Sequence, residues 1–179
     1  YFTSGPSNGY LWKVIRDFNG SDPTTQNNTA EYNYDIVGNI TGIRDAKGNW
    51  TTFEVNPLNQ ITKTISRPPF NYEVKLFYDG NNGLEQHEIQ NIDENGNLVS
   101  SMPWILRSYV HDILDNLKTE TYQISATEFA IVQYRRDANE NIIKTIEPEL
   151  NENVVSYNER DLVYQAIKGY GTPEQTITT

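Results

Sequence analysis

The stretch YNYDIVGNITGIRDAKGNW, residues 32–50, contains one short pattern twice. Asp35 is followed three residues later by Gly38, and Asp45 is followed three residues later by Gly48, and an asparagine comes directly after each glycine. A ligand site, a metal loop and a structural repeat could all contain such a pattern. Copies elsewhere in the chain distinguish between these three interpretations.

The pattern recurs along the chain with substitutions, always beginning with Asp or Asn. Asp35 and Asp45 are ten residues apart, and Asn56 follows eleven residues later. This spacing fits about six strand residues and a turn of four or five residues. Asp17-Phe18-Asn19-Gly20 is a candidate for an earlier copy. The later copies begin at Asp79, Asp93, Asp112, Asp137 and, in a shortened form, Asn158.

Each copy has the chemistry of a tight hairpin turn. Asp or Asn at the first position can accept hydrogen bonds from the backbone N–H groups just ahead of it. Gly or Asn three residues later tolerates a positive φ, which closes the turn with a G1-type bulge. We therefore expect a positive φ at Gly38, Gly48 and Gly96. The predicted structural turn residues are Asp35, Gly38, Asn39, Asp45, Gly48, Asn49, Asn56, Asn59, Asp79, Asp93, Gly96, Asn97, Asp112, Asn116, Asp137, Asn141 and Asn158.

Apolar and polar residues alternate between the turns. Thr51, Phe53 and Val55 are expected on one face of a strand, with their neighbours on the other face. The short spacing leaves no room for helices, so the pattern predicts an all-β antiparallel meander of repeated short hairpins. Prolines in SRPPF (66–70) and IEPELNEN (146–153) are expected to end strands. The polar residues 19–30 are expected to form a surface loop.

The composition limits the classes of partner. The net charge of -10 argues against nucleic acids and anionic membranes as main partners, because like charges repel. The absence of cysteine excludes disulfides, thiolate metal sites and a cysteine nucleophile. No basic-then-apolar leader and no apolar run near 20 residues is present, and the chain begins with Tyr1. We interpret it as a segment of a longer polypeptide.

The acidic turns do not match a known metal motif. A calcium loop beginning at Asp93 requires Gly at its sixth position and Glu at its twelfth, where this chain has Leu98 and Trp104. Isolated ions at single turns remain an alternative to ordinary turn carboxylates. His87-Glu88 lacks the second histidine of a zinc protease motif, because residue 91 is Asn.

Catalytic motifs are also absent from the sequence. His111 precedes its turn residue where Tyr34, Tyr78 and Tyr157 precede theirs, which favours packing over catalysis. No nucleophile elbow, phosphate loop or dinucleotide fingerprint is present. We therefore predict no catalytic, cofactor-binding or metal-binding residues, no cofactor and no enzymatic activity. A hydrolase with unassigned carboxylates remains a distant alternative.

Aromatic residues raise a different hypothesis. Twelve Tyr, six Phe and three Trp could stack on sugars, which would make the chain a carbohydrate-binding or adhesive cell-surface module with glycans as partners. Cross-strand packing is the more common use of such rings in a sheet. An exposed row of coplanar rings would favour the binding module. We expect instead that rings such as Tyr32, Tyr34 and Phe53, together with Val55, lie half-buried along the sheet, without a sealed core.

Residues 32–68, YNYDIVGNITGIRDAKGNWTTFEVNPLNQITKTISRP, resemble the repeat units of the Rhs/YD-repeat family. Those units typically contain Tyr-Asp, two residues and Gly-Asn or Gly-Arg, followed by a strand and a second Asp-x-x-Gly. YVHDILDNLKTET (109–121), YRRDANENIIKTIEP (134–148) and YNERDLVYQAIKGYGTPEQ (157–175) resemble further units. Several copies replace the glycine by Asp, Glu or Asn, and no toxin domain is recognisable in the sequence.

The resemblance implies that this chain forms part of the wall of a hollow protein shell. In that family the repeats form an antiparallel ribbon that spirals into a hollow shell, in bacterial polymorphic toxins, insecticidal toxin complexes and teneurins. By this resemblance, residues 31–179 are a YD-repeat segment of a curved shell, and residues 1–30 are its leading strand and polar loop. The implied function is to encapsulate or display a toxin or effector domain elsewhere in the polypeptide. The implied partners are flanking YD repeats and an enclosed C-terminal domain, without nucleic acid or membrane insertion, and the implied location is secreted or at the cell surface.

Overall fold

Short β-strands alternate with turns in the computed structural model, which describes Tyr1, residues 9–16 and residues 28–179. No helix occurs in this part of the chain, in agreement with the all-β prediction. The fourteen described strands are β1 (Lys13–Arg16), β2 (Asn28–Tyr34), β3 (Ile40–Arg44), β4 (Trp50–Val55), β5 (Ile61–Ile65), β6 (Glu73–Tyr78), β7 (Leu84–Gln90), β8 (Trp104–His111), β9 (Leu117–Gln123), β10 (Phe129–Arg136), β11 (Ile142–Ile146), β12 (Glu152–Tyr157), β13 (Val163–Lys168) and β14 (Thr176–Thr178).

The strands form one open antiparallel sheet in which their order is the order of the sequence. Connections this short can join only antiparallel neighbours, because a parallel neighbour needs a long crossover. The predicted meander is confirmed. The pairing register shifts by one residue next to five turns, at Tyr34, Val55, His111, Arg136 and Tyr157. These shifts are the bulges that the turn chemistry predicts.

The chain divides into two compact units. The first unit comprises Tyr1–Leu76 and Ile89–Trp104, and the second comprises Phe77–Glu88 and Ile105–Thr179. On one face of the first unit, rows of ion pairs cross the strands: Glu31 lies 3.1 Å from both Lys13 and Arg44. The other face carries half-buried apolar and threonine side chains in register, namely Tyr32, Ile43, Thr51, Phe53, Thr64 and Val74.

Neither unit contains a sealed apolar core within the described residues. Val132 is the one buried hydrophobic residue there, and Glu120 is the one buried charged residue. Tyr32, Tyr34 and Phe53 are half-buried, as the sequence predicted. A sheet held by cross-strand side-chain pairs needs fewer apolar residues than a closed core, which accounts for the apolar content of 36%.

The structure corrects one detail of the sequence prediction, places one predicted turn between two longer strands, and leaves one candidate copy outside the described residues. The polar loop was predicted too long, because residues 28–30 already belong to β2, where Ala30 lies opposite Val14. The backbone of these residues pairs with β1, so their polarity does not prevent strand formation. The copy beginning at Asp93 lies in the connection between β7 and β8, next to the isolated bridge from Ile92 to Leu98. The candidate copy at residues 17–20 lies outside the described residues.

Candidate functional site

The predicted turns share one hydrogen-bonding arrangement. Oδ1 of Asp45 accepts bonds from the backbone N–H groups of Lys47 and Asn49, each at 2.9 Å. The backbone of Asp45 also pairs with the Asn49 carbonyl and the Gly48 N–H. The same two side-chain bonds occur at Asp35, Asp45, Asn56, Asp79, Asp93, Asp112, Asp137 and Asn158. Because Asn forms these bonds as well as Asp, the turn needs an acceptor oxygen and not a charge.

The fourth position of each of the eight described copies has a left-handed backbone. Gly38, Gly48 and Gly96 have φ values of 100°, 88° and 83°, as expected from the sequence. In the other copies this position is occupied by a residue with a side chain, with φ between 57° and 68°: Asn59, Asn82, Asp115, Glu140 and Asp161. A left-handed conformation is strained for residues with a Cβ. The flanking strand pairs therefore impose the turn geometry even where the sequence does not favour it.

Alternate turns also contact one another along the edge of each unit. In the first unit, the Asn39 side chain donates to Asp35 at 2.8 Å and to Asn59 at 2.9 Å. In the second unit, three links join successive turns on one edge: Asn81 donates to Asp115 at 3.0 Å, Asn116 donates to Glu140 at 3.5 Å, and Asn139 and Asn141 donate to Asp161 at 3.0 and 2.8 Å. We call these linked turns the turn ladder.

The turn ladder includes residues that sequence reasoning missed. Asn39, Asn59, Asn116 and Asn141 were predicted as turn residues, but their contacts with other turns were not. Asn81, Asp115, Asn139, Glu140 and Asp161 were missed. A usable signal was present, because a polar side chain occupies the fourth position of the copies that follow β6, β8 and β10, and Asn81 and Asn139 occupy the third position of two of them. Asn49 and Asn97 were predicted, and they supply the backbone N–H at the fifth position of their turns.

The hydrogen bonds to the turn carboxylates favour their charged form. The amide of Asn39 lowers the pKa of Asp35 most, followed by the backbone N–H groups of its turn. For Asp45, Asp93 and Asp112, the largest cause of the lowered pKa is the backbone N–H of the fifth turn residue. A carboxylate whose pKa is lowered on folding contributes stability above its unfolded pKa, and that stability is lost as the pH falls through the folded pKa.

Acid should therefore destabilise the protein through these turns. We expect the melting temperature to fall as the pH decreases below about 4, the ordinary pKa of an aspartate. A variant with Asn at positions 35, 45, 93 and 112 should fold at pH 7, as Asn56 and Asn158 already occupy the same position. Its melting temperature should fall less steeply between pH 4 and pH 2. Thermal unfolding by circular dichroism across this range tests the difference, and equal slopes would contradict the assignment.

One further turn was not predicted as a copy. The segment that ends β11 was expected only to stop the strand, but Glu147 and Asn151 pair through their backbones at 2.9 Å, and Leu150 donates to the Glu147 carbonyl at 2.9 Å. Leu150 has a φ of 66° and is 80% exposed. Glu147 is longer than Asp and Leu150 is a poor residue for a positive φ, so neither signals a turn.

Replacing Leu150 by glycine should stabilise the protein. The leucine side chain buries little, and glycine relieves a strain of about 1 to 2 kcal/mol, part of which is offset by the greater entropy of glycine in the unfolded chain. We expect a net gain of about 0.5 to 1 kcal/mol in the free energy of unfolding, measured in urea. Leu114→Gly is the matched control: Leu114 is 64% exposed in another turn and is not among the residues with positive φ. A loss in both variants would contradict the strain at Leu150.

A polar cluster, which we call the Glu120 cluster, occupies one face of the second unit. Glu120 is 6% exposed, and its Oε1 accepts a bond from Nε of Arg107 at 2.7 Å and also contacts Nη2. The Tyr134 hydroxyl lies 3.3 Å from the other carboxylate oxygen. Nη2 of Arg107 donates to the Tyr122 hydroxyl at 2.8 Å, and the guanidinium lies 4.2 Å from the Tyr122 ring centroid. Sequence reasoning did not identify this cluster.

The Glu120 cluster is a closed network of partners. Burial lowers the pKa of Arg107, but the bonds to Glu120 and Tyr122 outweigh it and raise the pKa overall. Burial is also the largest cause of the raised pKa of Tyr122 and Tyr134. Next to the cluster, burial and then the positive charge of Arg107 lower the pKa of His87. These groups bond to one another, which indicates a structural role.

The described residues contain no group of three or more His, Cys, Asp or Glu side chains placed to hold a metal ion. A cavity of about 350 Å³ in the second unit is lined by Asp79, Asp112, Asp115 and His111. Nδ1 of His111 lies 3.8 Å from a carboxylate oxygen of Asp79, within that cavity wall. No helix in the described part of the chain is long and apolar enough to cross a membrane.

Two aromatic contacts among the described residues are pairs of rings. Tyr10 stacks on Tyr34, with ring centroids 5.0 Å apart. Phe70 and Tyr72 are 6.2 Å apart and are inclined by 58°. Neither contact is a row of exposed coplanar rings, which was the arrangement expected of a flat sugar-binding platform.

Comparisons with known proteins identify solved structures that have a similar fold. No protein-family profile and no curated protein matches the chain. The crystal structures of TcdB2-TccC3-Cdc42 and of TcdB2-TccC3 each match with 16% identity and a TM-score of 0.67, and the Photorhabdus luminescens Tc holotoxin pore matches with 16% identity and a TM-score of 0.64. Each match covers 87% of this chain and 8% of the other chain. This chain therefore spans a small part of the length of its structural relatives. The likeness confirms the resemblance to the Rhs/YD-repeat family at the level of the fold.

Proposed function

We propose that this chain is a stretch of the structural wall of a YD-repeat shell, and that it is not an enzyme. The observation that carries the proposal is the uniform construction of the turns, with the same side-chain bonds at all eight first positions. Identical units that contact only their neighbours can extend a sheet indefinitely. Such a sheet can form a wall between two compartments. Its repeated units place few reactive side chains close together in one site.

The likeness to the Tc toxin chains supports the same function. One of the similar structures is a Tc holotoxin pore, and the region of similarity is a small fraction of each chain. By analogy, the wall encloses or displays a toxin or effector domain elsewhere in the polypeptide, and other YD repeats flank it. The protein would then be secreted or presented at the cell surface. The turn residues predicted from the sequence would serve to hold adjacent hairpins in register.

Protection from protease tests the enclosure. In the complete polypeptide that carries this sequence, mild protease treatment should leave the enclosed domain intact. Arg107→Met, which breaks the Glu120 cluster, should expose that domain to cleavage at the same protease dose. Lys63→Ala is the control, because Lys63 belongs to ion pairs with Glu54 and Glu73 at 3.2 and 3.3 Å, and Glu54 is largely exposed. Rapid cleavage of every domain in the unmodified protein would overturn the proposal.

A further inference from the structure

A histidine joins two neighbouring strands of the second unit, which contains residues 84–88 of β7 and residues 105–111 of β8. His87 is half-buried in β7, and its Nδ1 atom lies 3.3 Å from the Tyr109 hydroxyl on β8. The two ring centroids are 5.9 Å apart. In the neutral tautomer with its proton on Nε2, Nδ1 accepts a hydrogen bond from that hydroxyl. The contact between the strands therefore includes a group that acid can change.

A cation lies next to the same tyrosine ring. Cζ of Arg107 is 5.8 Å from the Tyr109 ring centroid. The guanidinium is held in place, because its Nε donates to Glu120 at 2.7 Å and its Nη2 donates to the Tyr122 hydroxyl at 2.8 Å. Arginine keeps its positive charge throughout the range in which histidine titrates. A fixed positive charge and His87 therefore both border the Tyr109 ring.

The carboxylate of the Glu120 cluster is already engaged. One oxygen of Glu120 accepts the bond from Arg107, and the Tyr134 hydroxyl lies 3.3 Å from the other oxygen. Burial and then Arg107 lower the pKa of His87, and Glu120 raises it by less than they lower it. The cation therefore has the stronger influence on His87 although an anion is close by.

The remaining groups near His87 offer no closer anion. Alternate residues of a strand share a face, so Glu85 lies on the face of His87, but Glu85 is exposed to solvent. Glu88 lies on the opposite face, where it accepts a bond from Gln86 at 2.9 Å. From β6, Phe77 and Tyr78 belong to the second unit, and neither is a carboxylate or a cation.

We propose that His87 is an acid-sensitive switch that loosens the contact between β7 and β8. Protonation turns Nδ1 from an acceptor into a donor, so the Tyr109 hydroxyl can no longer donate to it. Protonation also places a second positive charge near Arg107, in a half-buried site where water screens the repulsion only in part. Both changes weaken the same strand contact. The proposal does not depend on what the sheet encloses.

The direction of the pH dependence follows from the lowered pKa of His87. The folded protein binds this proton more weakly than the unfolded chain, in which histidine has a pKa of about 6.5. The stability from neutral His87 is therefore complete above about pH 6.5 and is lost as the pH falls below that value. The turn carboxylates respond only near pH 4, at about the ordinary pKa of an aspartate, so the two acid responses can be separated.

The second histidine provides a matched control. The chain contains two histidines, His87 and His111, and both belong to the second unit. Nδ1 of His111 lies 3.8 Å from a carboxylate oxygen of Asp79, so its charged neighbour is an anion. His111→Gln should therefore leave the acid response in place. His87→Gln should remove it, because glutamine keeps an acceptor for the Tyr109 hydroxyl and cannot become charged.

Thermal unfolding of the complete chain at about pH 7.5 and about pH 5.5 tests the switch. We expect acid to shift the unfolding equilibrium of the unmodified chain about tenfold, which lowers the melting temperature of a chain of this size by about 2 to 4 °C. His111→Gln should show a fall at least as large, and His87→Gln a clearly smaller fall. Equal falls in the unmodified chain and in His87→Gln would overturn the proposal, as would a fall that His111→Gln alone removes.

Amide hydrogen exchange locates the change. At about pH 5.5, peptides from residues 84–88 and 105–111 should exchange faster in the unmodified chain than in His87→Gln, whereas at about pH 7.5 they should not. Comparing two proteins at one pH removes the effect of pH on the intrinsic exchange rate. Equal exchange of these peptides at the lower pH would contradict the switch. If circular dichroism shows that His87→Gln is unfolded at the higher pH, His87→Asn, which is also uncharged, replaces it in both experiments.

Discussion

Replacing Arg107 by methionine is expected to lower the free energy of unfolding by about 3 kcal/mol, because it leaves the buried carboxylate of Glu120 without its cation. Glu120 is 6% exposed, so water cannot replace the lost bonds from Arg107. Removing one partner of a buried pair costs about 3 to 5 kcal/mol, and the 38% exposure of the Arg107 side chain places this pair at the lower end. Methionine keeps the packing of the arginine stem. Urea unfolding at pH 7 measures the loss.

The reverse substitution should be milder. Glu120→Gln leaves Arg107 with access to solvent, so we expect a smaller loss than for Arg107→Met. The double variant should recover much of the stability lost in Arg107→Met, because it contains no unpaired charge. A loss below about 1 kcal/mol, as for an exposed ion pair such as that of Lys63, would show that Glu120 is hydrated in the folded protein.

Gly38→Ala is expected to lower the free energy of unfolding by about 2 to 3 kcal/mol. Two effects add. Gly38 has a φ of 100°, where a side chain is strained. A Cβ at this position would also lie 2.5 Å from the Tyr10 hydroxyl and 2.9 Å from Cζ of the same ring. Tyr10 stacks on Tyr34, so moving the ring away sacrifices that contact. Chemical denaturation of the variant measures the sum.

Gly96→Ala separates the two effects. Gly96 has a φ of 83°, and a Cβ there would have no neighbour within 4 Å among the described residues. This variant should lose only the strain, about 1 to 2 kcal/mol. The excess at Gly38, about 0.5 to 1.5 kcal/mol, should disappear when Tyr10 is replaced by alanine. Equal losses at the two glycines would show that the Tyr10 ring moves freely.

The parts of the structure that the sequence predicted well are local. Asp45 bonds to atoms two and four residues ahead, so the turn is complete within a stretch of five residues. The alternation in β4 and the prolines that end β5 are equally local. Short-range rules of this kind depend on side-chain reach and backbone geometry, which the neighbouring residues determine.

The parts that the sequence did not predict depend on the register between strands. The ladder contact of Asn81 with Asp115 joins residues 34 apart, and Arg107 meets Glu120 across a strand pair whose register shifts at His111. Each bulge adds a residue to one strand and changes which side chains lie opposite, so errors accumulate along the sheet. Leu150 is a related case, because paired strands impose a φ that leucine disfavours.

From the amino-acid sequence alone, the turn chemistry and its spacing determined an all-β meander of short hairpins in sequence order, and the resemblance to YD repeats followed from the same residues. Tertiary structure decided which side chains came together: the turn ladder, the Glu120 cluster and the ion pair between Asp45 and Arg67, which are 22 residues apart. The physical reason is that a turn closes through bonds between near neighbours, whereas a contact across the sheet depends on the pairing register of every strand that lies between the two residues.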